Sequence, residues 1–361
     1  MSINKLFSPQ WIARRISREY RRPTTKLGKI LFEKPREWMV KKRKIDKKTP
    51  LLAIYDLQVA PITFNFAEFL ILANHECLSR GLNEYEVLLV PRMAEKVLEG
   101  SYDRIHDEAS KAWRLRQIIM PLVFMSPLCK GVRLLPSRDC ISNALNGFQI
   151  FPLGYSKNFW PVPDHTRIYK ELNKDYVGLY PGEQALRYID RWISANSNGL
   201  PVVSLTYRHQ KYAINRNSQL TEAIKFLEWV KYQGYFPVMI PDTDVAPEVI
   251  QYGKGIYIFS DLAWNLELRA AFYQQSALNF FVPNGTTSLV IFNQEIRYAI
   301  MRFNEGGDEQ EMKRIGLENG NNLRFATKGQ ILVWSDDTLS EYIKIFQLFR
   351  DQDWLGRGKD N

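Results

Sequence analysis

The sequence predicts an α/β protein: two doubly wound parallel sheets in series, preceded by a basic amphipathic arm. Three observations carry this. Short apolar runs alternate with longer segments of helical period, the pattern of parallel strands joined by crossover helices. The alternation runs twice, before and after a stretch at 152–182 that is rich in Pro, Gly and aromatics and has no clear period. Finally, 361 residues exceed what one compact core usually serves, so two domains are expected.

The arm comes first. Residues 1–48 hold 16 Lys and Arg against Glu19, Glu33, Glu37 and Asp46, a surplus of +12 within a net charge of +10, so the body is close to neutral. Ser8-Pro9 is a helix-start signal. Beyond it Ile12, Ile16 and Tyr20, joined by Ala13, fall on one narrow stripe, with Arg14, Arg15, Arg18, Arg21 and Arg22 largely opposite and Trp11 off the stripe. A second stretch, 26–48, mixes Leu27, Ile30, Leu31, Phe32, Trp38, Met39 and Val40 with the run Lys41-Lys42-Arg43-Lys44. Apolar and aromatic side chains interleaved with cations suit an anionic membrane surface, where each cation contributes about 1 kcal/mol. A solvated arm and an RNA- or DNA-binding arm are the competing readings; nucleic acid is the least favoured, because such arms do not require the interleaved Trp, Ile and Phe. No run of about 20 apolar residues is present to span a membrane. The N-terminus also lacks the apolar core of a secretory signal, so a cytoplasmic protein peripheral to the inner membrane face is expected.

The first α/β set, 49–182, opens with the apolar run Leu51 to Tyr55, ending at Asp56. A loop with Pro61 leads to a helical pattern from Phe64 to Arg80, stopped by Gly81. Glu86 to Val90 is a strand closed by Pro91, His106 to Phe124 a helix, and Gly131 to Leu135 and Phe148 to Phe151 further strands. After the crossing, a linking helix at Glu183 to Ser197 begins the second set, 183–335. Strands are expected at Val202 to Thr206, Phe236 to Ile240, Gly255 to Phe259, Ala277 to Val282, Arg297 to Phe303 and Ile331 to Trp334. Helices fit Gln219 to Gln233, Trp264 to Gln275 and Thr286 to Phe292; a last helix from Asp337 to Phe349, with Asp336-Asp337 as its cap, opens the tail 336–361. Cys77, Cys129 and Cys140 have no CxxC spacing, and four histidines make a multi-histidine metal centre improbable.

Two such domains predict a ligand cleft at the carboxyl ends of their strands. Arg208 stands just beyond a strand's carboxyl end, and Arg216 precedes a helix that Asn217 and Ser218 can cap. Two guanidiniums beside a helix start suit a diphosphate, although a mobile surface loop would explain the same residues.

Here the sequence resembles bacterial GT-B-like glycosyltransferases of surface-polysaccharide synthesis, over roughly residues 50–300. The resembling features are Ile54-Tyr55-Asp56 with Pro61 and Phe64, Trp113-Arg114-Leu115-Arg116, Phe151-Pro152-Leu153-Gly154-Tyr155-Ser156, and the block Arg208…Arg216-Asn217-Ser218…Pro241-Asp242. More distantly the block is similar to the fucosyltransferase-type motif in which a strand ends in a donor-binding Arg. The His of that motif is absent, with Thr206 in its place. The resemblance implies two Rossmann-like domains in the GT-B arrangement. It also implies a nucleotide-sugar donor in the C-terminal domain and a glycan or lipid-linked acceptor on the N-terminal side. No cofactor is expected.

In such transferases a loop like Pro283-Asn284-Gly285-Thr286-Thr287-Ser288 commonly holds the donor. Gly285 would let backbone approach the ligand, and Thr286, Thr287 and Ser288 would offer hydroxyls and N–H groups; an ordinary turn and cap is the alternative. Glu267 and Arg269 are weaker donor-side candidates that surface ion pairing also explains. Asp242-Thr243-Asp244 spells the DXD pattern of metal-dependent transferases, but Asp242 is read instead as a turn cap or ribose contact, so no metal is expected. Asp56, ending the first strand, is the expected general base, with Glu68 and His165 in reserve. The expected function is therefore metal-independent sugar transfer at the cytoplasmic membrane face. A non-catalytic scaffold or sugar-nucleotide-binding protein of polysaccharide assembly is the alternative.

Overall fold

The computed structural model describes residues 48–93, 105–210, 214–242, 255–303, 315–317 and 320–355. The expected membrane arm, with Trp11, its arginines and Lys41 to Lys44, lies outside the described residues, as do Thr243 and Asp244. The chain divides into two compact units. The first falls within Met1–Ile62, Leu72–Ala109 and Leu128–Asp164, and the second within Thr63–Ile71, Ser110–Pro127 and His165–Asn361. Among the described residues no helix is long and apolar enough to cross a membrane.

In chain order the elements begin β1 (Leu51–Asp56), α1 (Asn65–Ser79), β2 (Tyr85–Val90), α2 (Glu108–Arg114), α3 (Met120–Met125), β3 (Cys129–Leu134), α4 (Ile141–Ala144) and β4 (Gln149–Phe151). They continue α5 (Thr166–Glu171), α6 (Glu183–Asn196), β5 (Val202–Tyr207), α7 (Leu220–Tyr232), β6 (Phe236–Pro241) and β7 (Tyr257–Ile258). The last are α8 (Leu266–Gln275), β8 (Leu278–Phe281), α9 (Thr287–Ile291), β9 (Tyr298–Ile300), β10 (Gln330–Leu332) and α10 (Leu339–Asp351).

The first unit is built on a parallel sheet of order β3-β2-β1-β4, the second on a parallel sheet of order β10-β9-β8-β5-β6-β7. Every residue of the inner strands β1 and β5 is buried, which explains their near-continuous apolar runs: a parallel strand covered on both faces has no solvent side to alternate with. Edge strand β3 carries charge instead, and Arg133 pairs with Glu86 at 2.8 Å. In the second unit Val203, Leu205, Tyr207 and Phe280 pack against α7 and α10 through Phe226, Tyr342 and Phe346. Phe226 meets the Phe280 ring at 4.8 Å and the Tyr342 ring at 4.9 Å.

Strand order reverses once in each sheet. The chain runs β1, β2, β3 outward and then returns to place β4 on the other side of β1. It runs β5, β6, β7 outward and returns to place β8 on the other side of β5. Crevices at the carboxyl ends of parallel strands open at such reversals, here beyond Asp56 and Phe151, and beyond Tyr207 and Phe281.

Two expectations needed revision. The helix foreseen at 106–124 is interrupted by a π-helical turn, Leu115–Ile119, in which the Met120 N–H bonds Leu115 O. Pro121 follows and has no N–H to return to the preceding turn, so the ladder opens by one residue there. The stretch 152–182, read as aperiodic, contains α5, too short at six residues to show a period.

Candidate functional site

The second unit's reversal point gathers most of the residues singled out in the sequence. Arg208 follows β5 directly and is buried. Its backbone N–H donates to Ser218 Oγ at 3.0 Å, its carbonyl accepts from Ser218 N at 3.0 Å, and its Nη1 donates to Asn217 Oδ1. The same Asn217 oxygen accepts from Gln210 N at 2.9 Å, and Asn217 Nδ2 donates to Gln210 O at 3.0 Å. Contrary to expectation, Asn217 and Ser218 therefore do not cap the following helix; they hold Arg208 and Gln210 instead. Their side chains are committed before α7 starts at Leu220; the N–H of Gln219, just ahead of that helix, donates to Asp337 Oδ2 at 2.9 Å.

Arg216 reaches across to the neighbouring strand's loop, donating through Nη2 to Pro283 O at 3.1 Å. Asp242, one residue past β6, accepts from Gln210 Nε2 at 2.9 Å. Arg208, Gln210, Arg216 to Ser218, Asp242 and Pro283, far apart in sequence, are thus tied together at one sheet edge. Among the described residues no group of three or more His, Cys, Asp or Glu side chains is assembled as a metal site would need.

The loop beyond β8 is largely self-satisfied. Asn284 Oδ1 accepts from Thr286 Oγ1 at 2.7 Å and from Thr287 N at 3.1 Å, and Thr287 Oγ1 donates to Asn284 O at 2.6 Å. The Thr286 and Thr287 hydroxyls, expected to offer themselves to phosphate, are spent on Asn284; Ser288 is half-buried. Asn284 Nδ2 is buried without a hydrogen-bond partner. Gly285 answers a different need from the one expected. A Cβ there would stand 2.3 Å from Phe64 Cδ2, so the glycine admits the Phe64 ring rather than a ligand on that side.

Three features escaped the sequence reading. Arg302, in left-handed backbone at φ 52°, donates to Asn217 O at 2.9 Å and Asn215 O at 2.6 Å, clamping the Arg208 loop from below. Asp337, expected as a helix cap, is wholly buried, accepts from Gln219 Nε2 at 3.1 Å and lies 3.4 Å from Arg302 Nη1. Burial raises its carboxyl's pKa, opposed by the Gln219 bonds and the Arg302 charge. Thr338 caps α10 instead. Arg269, a weaker donor-side candidate for which surface ion pairing was the alternative, is buried: Nε donates to Tyr273 OH at 2.8 Å, Nη2 to Pro241 O at 3.3 Å, and Nη1 has no partner. Glu267 accepts from Gly182 N at 3.0 Å, at the start of α6.

In the first unit, Asp56, the expected base, is engaged on both carboxylate oxygens. Arg138 donates to both its oxygens, at 2.7 and 2.8 Å, Tyr155 OH donates to Oδ2 at 2.6 Å, and Gln58 N to Oδ1 at 2.9 Å. With its lone pairs taken and its side chain buried, the carboxylate holds the sheet edge together. Burial and the adjacent Asp56 charge drive the Tyr155 pKa upward, so the phenol stays a donor. Beside this cluster Arg92, Ser137, Arg138, Lys157 and Trp160 border a cavity of about 500 Å³. The two reserve candidates for the base meet in the second unit, where His165 Nδ1 lies 3.0 Å from Glu68 Oε2.

No protein-family model matches the sequence, and no curated protein matches it. Among solved structures the chain is similar to the glycosyl transferase family 9 protein of Veillonella parvula, with a TM-score of 0.53 and 9% identity over 85% of this chain and 98% of that one. It is also similar to the ADP-heptose LPS heptosyltransferase II of E. coli, with a TM-score of 0.53 and 9% identity over 84% of this chain and 99% of that one. At such identities the likeness is one of fold: mixed α/β with two parallel sheets, as in GT-B-type glycosyltransferases.

Proposed function

We propose that this protein is a glycosyltransferase that takes a sugar from a nucleoside diphosphate donor held at the second unit's reversal point. The observation that carries the reading is the tie between Arg208, Arg216 and the Pro283–Ser288 loop at the carboxyl edge of β5 and β8. Guanidiniums beside loop N–H groups neutralise a diphosphate and stabilise it as it leaves, so in this reading arginine takes the part a metal plays elsewhere. The neighbour described as an ADP-heptose transferase makes ADP-linked heptose the first donor to try. The fucosyltransferase-like reading of Arg208 rests only on its place at a strand end. The acceptor would be a surface-polysaccharide or lipid-linked glycan.

Calorimetric titration with ADP-, GDP- and UDP-linked sugars tests the donor site. One of them is expected to bind, and Arg208→Ala to weaken it by about 10- to 100-fold, as loss of a charge-assisted bond does. Unchanged affinity in that variant would remove Arg208 from the site, and absence of any nucleotide binding by the wild-type chain would remove the reading.

The basic arm would hold the enzyme at an anionic membrane surface. Flotation with vesicles containing one third phosphatidylserine is expected to carry the wild-type chain upward and to leave behind the full-length variant with Lys41, Lys42, Arg43 and Lys44 replaced by Ala. Equal flotation of both would refute a role for that run.

A further inference from the structure

We propose that His165 is the general base of this transfer, with Glu68 as its positioning residue; the inference rests on the donor site proposed above. His165 stands at the start of α5 and Glu68 in the first turn of α1. Nδ1 of the imidazole is 3.0 Å from Glu68 Oε2, and each side chain is 20% exposed, so the pair is partly open to solvent. The other carboxylate oxygen is taken by Tyr169 OH at 2.9 Å. Tyr169 follows His165 by four residues, so one face of α5 presents both groups to the same carboxylate. At this separation Nδ1 is buried and makes no hydrogen bond; such catalytic contacts are often poorly aligned without substrate and tighten when it arrives.

One contact brings this pair to the donor loop, and a second set ties it to the far end of the helix that follows the loop. Phe64, four residues before Glu68, is the ring that fills the space above Gly285. On the other side Tyr169 meets the Phe325 ring at 6.3 Å, and Phe325 stacks on Phe292 at 6.1 Å, at the end of the helix that the donor loop enters. Tyr176 OH also donates to Ile291 O at 3.1 Å, tying the segment after α5 to that helix. Unlike Asp56, whose oxygens are all engaged, His165 keeps Nε2 without a hydrogen-bond partner among the described residues.

The chemistry follows from which nitrogen is left. A carboxylate beside Nδ1 keeps the proton there and leaves the lone pair on Nε2. Nε2 takes the proton of the attacking hydroxyl, whose oxygen forms the new bond to the anomeric carbon. The bond from that carbon to the diphosphate oxygen breaks, and its electron pair departs with the nucleoside diphosphate. Glu68 stabilises the imidazolium that results. A direct displacement of this kind inverts the anomeric configuration.

The test uses the full-length protein and whichever ADP-, GDP- or UDP-linked sugar it binds best, with water as acceptor, following release of the nucleoside diphosphate. His165→Ala is expected to slow release by about 10²- to 10³-fold while donor affinity stays within about twofold, and added imidazole to restore part of the rate. His165→Gln, which keeps the side chain's bulk, is expected to match it, and Glu68→Gln to lose about tenfold. A purely structural ion pair would show no imidazole rescue. Undiminished release by both His165 variants, failure of rescue, or a retained anomeric configuration in the product overturns the proposal. A wild-type chain that binds no nucleotide sugar sinks the donor site first, a distinguishable result.

Discussion

Replacing Arg138 with Met is expected to cost about 3–5 kcal/mol of stability, because it strands the buried Asp56 carboxylate without its charge partner. The pair is a two-bond fork with Arg138 Nη1 and Nη2 on the two oxygens, and Asp56 is 3% exposed, so water cannot take the arginine's place. The arginine also lies over the Trp160 ring at 4.4 Å, and that contact goes with it. Asp56→Asn is expected to be comparably harmful, since it removes the charge that offsets a guanidinium only 10% exposed. The double variant is expected to recover part of the loss, because neither charge is then left alone. Thermal melts of the wild type, both single variants and the double variant read this directly, with a drop of roughly 10 °C for each single change. The same series separates the structural role of Asp56 from a catalytic one. A general base could be replaced with little loss of stability, whereas an Asp56→Asn protein that melts like wild type but does not turn over would return Asp56 to the chemistry.

Gly285→Ala is expected to disturb the donor loop by way of Phe64 rather than by way of the ligand. The added carbon would sit 2.3 Å from Cδ2 and 2.9 Å from Cε2 of the ring, inside any tolerable contact, so either the ring or the loop must move. Overpacking of this kind costs about 1–3 kcal/mol. Because Arg216 is bonded to Pro283 O, a shift of the loop also disturbs the arginine, and weaker donor binding is expected alongside the stability loss. Phe64→Leu in the Gly285→Ala background tests the cause. If the ring is the obstacle, the smaller side chain restores both melting temperature and donor affinity. If the glycine instead admits the donor's diphosphate, stability is unaffected by Gly285→Ala and Phe64→Leu rescues nothing.

Much of the architecture was legible locally. The apolar runs at 51–55, 202–206 and 236–240 predicted β1, β5 and β6 to within a residue or so, because an inner parallel strand writes its burial on both faces into consecutive residues. The location of Arg208 and of the Pro283–Ser288 loop was readable for a related reason: a residue just past a parallel strand must lie at the sheet's carboxyl edge. What these residues bond to was not readable in the same way. Asn217 and Ser218 look like helix caps in sequence, and only the closed loop shows them holding Arg208.

The longer pairings left no trace in the chain's local pattern. Arg138 lies 82 positions from Asp56, Tyr155 lies 99, and Asp337 lies 118 from the Gln219 that donates to it. Nothing in periodicity or turn chemistry couples residues so far apart. The sequence by itself determined the strands and helices, the repeated α/β order and the edges at which polar side chains must emerge, since backbone geometry and burial act over a few residues. Only the tertiary structure decided which carboxylate is locked, which arginine is clamped and which histidine meets a glutamate. Those outcomes depend on where separate elements come to rest, and a lone pair is free or taken only once its neighbours have arrived.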